Sequence, residues 1–168
     1  MRRMQVKALL LDATSNIPVV LLEDPDSQMV MPIWIGMAEA QAIIFQMQQQ
    51  DFPRPLTHDL MKVIIEQLGG KLEQVVINSI QDQAFHATLF VRTDGGEVRE
   101  IDARPSDSIA LALRTESPIY IADDVFDEAA IESPFKEGAD EEEEEDKQKF
   151  QEFIQGDMSL EDFKKFKR

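Results

Sequence analysis

The sequence has no cysteine and only two histidines, and these shortages exclude several kinds of catalytic and metal site. Without cysteine there is no disulfide, no thiolate nucleophile and no cysteine-based zinc site. His58 and His86 are too few for a histidine-rich metal centre, so oxygen atoms would supply most ligands of any bound metal. The chain also lacks an apolar run of about eighteen residues and a signal peptide, so we expect a cytoplasmic protein without a membrane segment.

Positive charge is scarce as well, since 17 basic residues face 33 acidic ones and the net charge is −16. Residues 1–131 hold 20 acidic and 10 basic residues, so the acidic excess is not confined to the end of the chain. Proteins that bind duplex DNA passively usually present a basic face. The composition therefore argues against tight passive binding to nucleic acid. It does not exclude a nuclease, because carboxylates that hold a divalent ion attract phosphate once the metal is bound.

The hydrophobic pattern predicts an α+β domain over residues 1–131. Apolar residues at helical spacing predict three helices, at residues 37–49, 57–68 and 106–114. They are inserted between groups of strands, and these strands form a mostly antiparallel or mixed sheet. The predicted strands are residues 4–12, 17–22, 29–35, 72–80, 84–92, 97–103 and 118–121.

The end of the chain differs in composition from the domain. Residues 132–148 include an unbroken acidic run at residues 140–146, which predicts a flexible, solvated linker. Residues 149–168 place phenylalanine, isoleucine and leucine at helical intervals, which predicts a short amphipathic helical tail. Aromatic residues at this density usually dock on the domain itself, on a second subunit or on a partner protein.

Two short segments have nearly the same sequence, RPLTHD at residues 54–59 and DARPSD at residues 102–107. In each, Arg-Pro leads to a hydroxyl residue suited to cap a helix, Thr57 or Ser106, and an aspartate follows in the first helical turn. A helix N-terminus with an arginine beside it attracts anions, and the aspartate can bind that arginine or a metal. These segments are therefore the best candidates for chemistry.

Three motifs together resemble the bifunctional nuclease family, formerly a domain of unknown function. They are MPIWIGMAEAQAI at residues 31–43, RPLTHDLM at residues 54–61 and DARPSDSIALALR at residues 102–114. Their order and spacing make the combination specific, and the resemblance covers roughly residues 4–128. It implies a cytoplasmic α+β protein that forms a homo-oligomer, with a dimer favoured, and a nuclease that acts on DNA and RNA. The tail is similar to the short helical tails of many bacterial members.

On this interpretation the polar residues inside the motifs form a site for metal-assisted phosphodiester hydrolysis. Carboxylates would hold Mg²⁺ or Mn²⁺, which lowers the pKa of an attacking water. A guanidinium would stabilise charge on the phosphoryl oxygens, and a histidine would act as general base or acid. The candidate metal ligands are Glu39, Asp59, Asp102 and Asp107, and the candidate catalytic residues are Arg54, Arg104 and His58.

A structural interpretation stays open beside the catalytic one. Asp59 and Asp107 can complement helix dipoles and pair with arginines that fasten the helices. Arg114 suits the negative end of a helix without further purpose. Trp34 can stack on a nucleic-acid base, but its apolar neighbours favour packing in the core or between subunits. The alternative function is a non-catalytic, self-associating module whose Phe-rich tail recruits a partner in nucleic-acid repair or stress response.

Overall fold

The computed structural model describes residues 1–134, which contain eight strands and four helices. The predicted helical tail and all but the first residues of the predicted linker lie outside the described residues. The strands are β1 Arg2–Leu11, β2 Pro18–Glu23, β3 Met29–Trp34, β4 Gly70–Gln81, β5 Ala84–Thr93, β6 Val98–Ala103, β7 Ile119–Ile121 and β8 Ile131–Glu132. The helices are α1 Met37–Met47, α2 Thr57–Gln67, α3 Pro105–Thr115 and α4 Asp123–Ala129.

The strands form one mixed sheet in the order β6-β5-β4-β7-β1-β2-β3-β8. Every neighbouring pair is antiparallel except β4 and β7, which run parallel. Strands β5 and β6 form the hairpin expected around Asp94-Gly95-Gly96, and Gly96 has the positive φ of 82° that such a turn uses. The predicted α+β fold with a mostly antiparallel or mixed sheet is confirmed.

The three predicted helices are present, together with two short elements that the sequence pattern does not predict. Helix α4 has seven residues and β8 has two. Both are too short for a hydrophobic period to stand out in the sequence. Strand β8 pairs with β3 and forms one edge of the sheet. None of the helices in residues 1–134 is long and apolar enough to cross a membrane.

The helix starts differ from the prediction in their caps. Thr57 is the first residue of α2, whose N-cap is Leu56, and Ser106 is the second residue of α3, whose N-cap is Arg104. The predicted hydroxyl caps are therefore wrong. Pro105 explains the shift in α3, because its fixed φ suits the first helical position, where its missing N–H has no partner to lose.

Helix α3 lies at the centre of the helical layer. It contacts α1 on one side and α2 on the other, and it packs on strands β4 and β5. Eight of its eleven residues are buried, and Ile109 and Leu111 are completely so. A helix held this closely cannot shift without opening voids, so the residues at its start have fixed positions.

Buried Arg114 joins the three helices. Its side chain is 4% exposed, and its guanidinium donates to Asp59 Oδ1 of α2 at 2.6 Å. It also donates to the carbonyl oxygens of Ala110 in α3 at 2.8 Å and of Ala42 in α1 at 2.9 Å. Charge-assisted hydrogen bonds of this kind are stronger than neutral ones. The interpretation of Arg114 as a residue without further purpose is therefore wrong.

Helix α2 is the least buried of these three helices. His58 is its one buried residue, while Met61 and Ile65 pack partly against the core. A second apolar row faces outward, with Leu60 46% and Ile64 47% exposed, and it continues to Leu68, the C-cap of α2, which is 81% exposed. The spacing of four residues places them in line along the helix surface. We call these three residues the α2 stripe.

We expect Arg114→Met to lower the free energy of unfolding by about 2–3 kcal/mol. This is less than for a fully buried ion pair, because the Asp59 side chain is 34% exposed and water can solvate it. Urea unfolding followed by far-UV circular dichroism measures the change. Arg99→Met is the matched control, since Arg99 pairs with Glu97 at the surface and its loss should cost within about 0.5 kcal/mol. Equal stability of the two variants would contradict the role given to Arg114.

Candidate active site

Three helices have an acidic residue at the same position of their first turn. Glu39, Asp59 and Asp107 are each the third residue of their helix, in α1, α2 and α3 respectively. The positive end of the helix dipole favours a carboxylate there. Asp59 shows this local role directly, because its Oδ2 accepts a hydrogen bond from the Leu56 N–H at 2.9 Å. The contacts beyond each helix decide which of these carboxylates belongs to a site.

The starts of α2 and α3 meet through a histidine–aspartate pair. His58 Nε2 lies 2.9 Å from Asp107 Oδ1, and the His58 side chain is 8% exposed. The other carboxylate oxygen of Asp107 accepts from Arg104, at 2.8 Å from Nε and 2.7 Å from Nη2. The two similar sequence segments therefore contribute to one arrangement.

Glu39 extends this arrangement to the start of α1. Its Oε1 accepts from Arg104 Nη2 at 3.0 Å, so one guanidinium nitrogen contacts both Glu39 and Asp107. We call Glu39, His58, Arg104 and Asp107 the Arg104 cluster. The Arg104 side chain is 68% exposed, against 16% for Glu39 and 22% for Asp107. The guanidinium is thus the member that faces solvent, and the two less exposed carboxylates hold it in place.

The contacts fix the charges of the cluster. Burial raises the pKa of Asp107, but the hydrogen bonds from His58 and Arg104 lower it by more, so the pKa lies below its ordinary value. The hydrogen bond and charge of Asp107 raise the pKa of Arg104. Asp107 is therefore ionised at neutral pH, and its Oδ1 accepts a hydrogen bond from the Nε2–H of His58. In neutral His58 this leaves Nδ1 as the basic nitrogen.

The other sequence-predicted residues lie outside the cluster. Asp59 pairs with buried Arg114 instead, and this ion pair joins α2 to α3. Burial raises the pKa of Asp59, and the hydrogen bonds from Arg114 and the Leu56 N–H lower it by more, to below its usual range. Asp102 is exposed on β6 opposite Thr88, and Arg54 is exposed in the connection between α1 and α2.

The predicted four-carboxylate metal site is consequently not assembled in this part of the chain. Across residues 1–134, no three or more histidine, aspartate and glutamate side chains are grouped so that they could hold a metal ion. Glu39 and Asp107 are the two predicted ligands that converge, and they converge on the Arg104 guanidinium. These residues do not fit a preformed divalent-ion centre, because a cationic side chain already occupies the space between them.

A cleft of about 470 Å³ opens beside the cluster, and Trp34 lies in its wall. Trp34 does not pack in the core, which was one of the two expected alternatives, since 51% of the residue is exposed. Its packing between subunits stays a prediction. As the last residue of β3 it lies at the end of the sheet, where its indole Nε1 donates to Asp12 Oδ2 at 2.9 Å. The apolar neighbours that favoured burial in the sequence are themselves buried, but this side chain points away from them.

Comparison with known proteins identifies related sequences. The bifunctional nuclease domain family matches residues 20–134. An uncharacterized protein of Mycobacterium tuberculosis is 37% identical over 169 residues, which is 98% of this chain and 99% of that protein. Bifunctional nuclease 1 of Oryza sativa subsp. indica is 25% identical over 112 residues, 66% of this chain and 34% of the rice protein. Bifunctional nuclease 2 of Oryza sativa subsp. japonica is 28% identical over 105 residues, 61% of this chain and 32% of its own length.

We expect Asp107→Asn to destabilise the fold at pH 7 and to lose this effect in acid. The folded-state pKa of Asp107 is lowered, so the unfolded state binds more protons near and below its own pKa of about 3.9. The stabilisation by ionised Asp107 is complete above the unfolded-state pKa and is lost as the pH falls through the folded-state pKa. Urea unfolding at several pH values between about 7 and about 3 measures the difference from wild type.

Asp82→Asn controls for the change in net charge, because Asp82 is exposed in the turn between β4 and β5. A stability difference between wild type and Asp107→Asn that stayed constant across the pH range would count against the charge state given to Asp107.

Proposed function

Because this chain belongs to the bifunctional nuclease domain family, we propose that it is a nuclease that hydrolyses phosphodiester bonds in DNA and RNA at the Arg104 cluster. The observation that supports this location is the meeting of two helix starts, which brings an exposed guanidinium next to a pair formed by buried His58 and partly buried Asp107. The names of the rice relatives support the activity, although the aligned region is about a third of their length.

Arg104 is the residue proposed to contact the phosphate. A guanidinium matches the geometry of two phosphoryl oxygens and stabilises the negative charge that develops on them during hydrolysis. The carboxylates of Asp107 and Glu39 use its Nε and Nη2 nitrogens, and among residues 1–134 no partner contacts Nη1. Arg104 is therefore held in one orientation while part of its hydrogen-bonding edge is available to a substrate.

His58 is proposed to exchange a proton with the attacking water or the leaving oxygen. Asp107 keeps the ring in one orientation and would stabilise the imidazolium if Nδ1 accepted a proton. The small exposure of His58 suits transfer to a water molecule better than direct contact with a sugar–phosphate chain. Arg54 and Asp102 are exposed and lie outside the Arg104 cluster, so this scheme gives them no role. Catalysis by Arg54 and metal binding by Asp102 stay predictions.

Dependence on Mg²⁺ or Mn²⁺ is a separate part of the proposal. A divalent ion bound by Glu39 and Asp107 would require Arg104 to leave the space between them. Arg104 is largely exposed, so such a movement would not disturb the core. No step assigned above to Arg104 or His58 depends on a metal ion.

A non-catalytic, self-associating module is the second candidate, and the α2 stripe favours it. Three large apolar side chains in line on one helix are a suitable contact for a second copy of the chain. The net charge of −16 opposes association at low salt, whereas physiological salt screens this repulsion. In this alternative, the Phe-rich segment at residues 149–168 would recruit a partner protein.

We expect the purified protein to degrade single-stranded DNA and RNA, and Arg104→Ala to reduce the rate by about 10²–10³-fold. Loss of the guanidinium removes the stabilisation of the phosphoryl charge, while the buried core stays intact. Fluorescent oligonucleotides in Mg²⁺, in Mn²⁺ and in EDTA measure both the activity and its metal dependence. Arg99→Ala, which removes an exposed arginine on β6, is the control. Equal rates for wild type and Arg104→Ala would place the activity elsewhere or in a contaminant.

We expect the chain to form a dimer that Ile64→Lys dissociates, because a charge in the centre of the α2 stripe cannot be buried without a partner. Sedimentation equilibrium at low and physiological salt measures the mass. Ile131→Lys is the control, since Ile131 is similarly exposed but lies on β8 at an edge of the sheet. A chain shortened after residue 138 should still dimerise but lose any partner captured by the tail. A monomeric wild type would exclude the α2 stripe as a contact between subunits.

A further inference from the structure

The cleft beside Arg104 has walls from four parts of the fold. They are Ile17 in the connection between β1 and β2, the end of β3 at residues 33–36, the β4–β5 hairpin at residues 83–85, and the start of α3 at residues 104–106. Its volume of about 470 Å³ falls within the range of small-molecule sites in proteins. Ile17, Ile33 and Phe85 make much of its surface apolar. The cleft therefore suits a flat apolar group of moderate size.

Trp34 is exposed in this cleft and is held in place without a ligand. Its indole N–H, the single donor of the ring, is already used by Asp12. Asp12 is itself fixed, because its Oδ1 accepts from the backbone N–H groups of Thr14 at 2.8 Å and Ser15 at 3.3 Å. The ring offers a ligand its aromatic surface and no hydrogen-bond donor, and ordering it costs little on binding.

Arg104 belongs both to the cleft wall and to the proposed active site. A ligand whose flat part enters the cleft would thus bring any attached anionic group close to the guanidinium. A nucleotide has this form, with an aromatic base joined through its sugar to a phosphate. An entirely apolar ligand would leave the charge of Arg104 unused.

We propose that the cleft binds one unpaired nucleobase of a single-stranded DNA or RNA, stacked on Trp34, with the adjoining phosphate on Arg104. This inference rests on the proposed nuclease function and specifies single strands as its substrate class. A duplex keeps its bases stacked on each other, so they cannot enter the cleft. The acidic net charge also opposes the electrostatic attraction by which most proteins bind a duplex. Every base can stack on an aromatic ring, and stacking does not require a basic protein surface.

The inference has a direct signal, because Trp34 is the one tryptophan of the chain. A base that stacks on it should quench its fluorescence. We expect quenching by an oligothymidylate of about 12 nucleotides, a length typical of single-strand sites, and little quenching by a duplex of equal length. Because few phosphates are neutralised, the affinity should change by less than tenfold between about 50 mM and about 200 mM salt. These titrations are done in EDTA and repeated with Mg²⁺.

Two substitutions separate stacking from structure. Trp34→Phe keeps a ring but loses the hydrogen bond to Asp12, whereas Trp34→Leu loses both. With fluorescein-labelled oligothymidylate, anisotropy should show binding within a few-fold of wild type for Trp34→Phe and about tenfold or more weaker for Trp34→Leu. Ile131→Leu is the control for a change of exposed apolar side chain away from the cleft. Circular dichroism and thermal unfolding verify that each variant is folded.

The outcomes distinguish this inference from the proposed nuclease function. Quenching by the single strand, with weaker binding and a raised KM in Trp34→Leu, supports the inference. The same binding in a protein that cleaves nothing supports the cleft as a binding site and rejects the nuclease. Cleavage by wild type with unchanged binding and KM in folded Trp34→Leu overturns the inference and leaves the nuclease intact. Equal quenching by the duplex, or none by the single strand, also overturns it.

Discussion

The position of the residues in the Arg104 cluster depends on one ion pair, between the buried Arg114 of α3 and the partly exposed Asp59 of α2. The same guanidinium also donates a hydrogen bond to a carbonyl oxygen of α1, so a single side chain joins three helices. Helix α2 needs this contact more than the others, because its apolar residues bury little of their surface. Since His58 is adjacent to Asp59 in the chain, the ion pair that holds α2 on α3 also sets His58 against Asp107.

The Arg104 cluster combines strong local order with an exposed cation. Both carboxylates that hold Arg104 lie in the first turn of a helix, where the dipole stabilises their negative charge. A phosphate that approaches Arg104 therefore meets a fixed guanidinium but no broad positive field, since residues 1–131 have twice as many acidic as basic residues. In such a protein, short-range contacts such as stacking and paired hydrogen bonds have to provide most of the affinity for a nucleic acid.

Elements of this fold can be predicted from the sequence where a structural preference is local. Helices α1, α2 and α3 and seven strands could be predicted, because their hydrophobic periods extend over enough residues to be recognised. Acidic residues near the helix starts were also recognisable. The helix caps could not be predicted, because Thr57 and Ser106 lie inside α2 and α3, and in α3 a proline takes the first helical position. The exposure of Trp34 in the single chain could not be predicted either, because apolar neighbours do not tell whether the last side chain of a strand is covered.

The sequence by itself determined the fold class, the family and the set of polar residues that could form a site. Only the tertiary structure decided which of them meet. His58 and Asp107 are 49 residues apart in the chain, and Glu39 and Arg104 are 65 apart. Such contacts follow from the order of strands in the sheet and from the packing of α1 and α2 on α3, and no local preference encodes either. For this reason Asp59 and Asp107, which occupy the same position in similar segments, have different roles, one in holding helices together and one in the cluster.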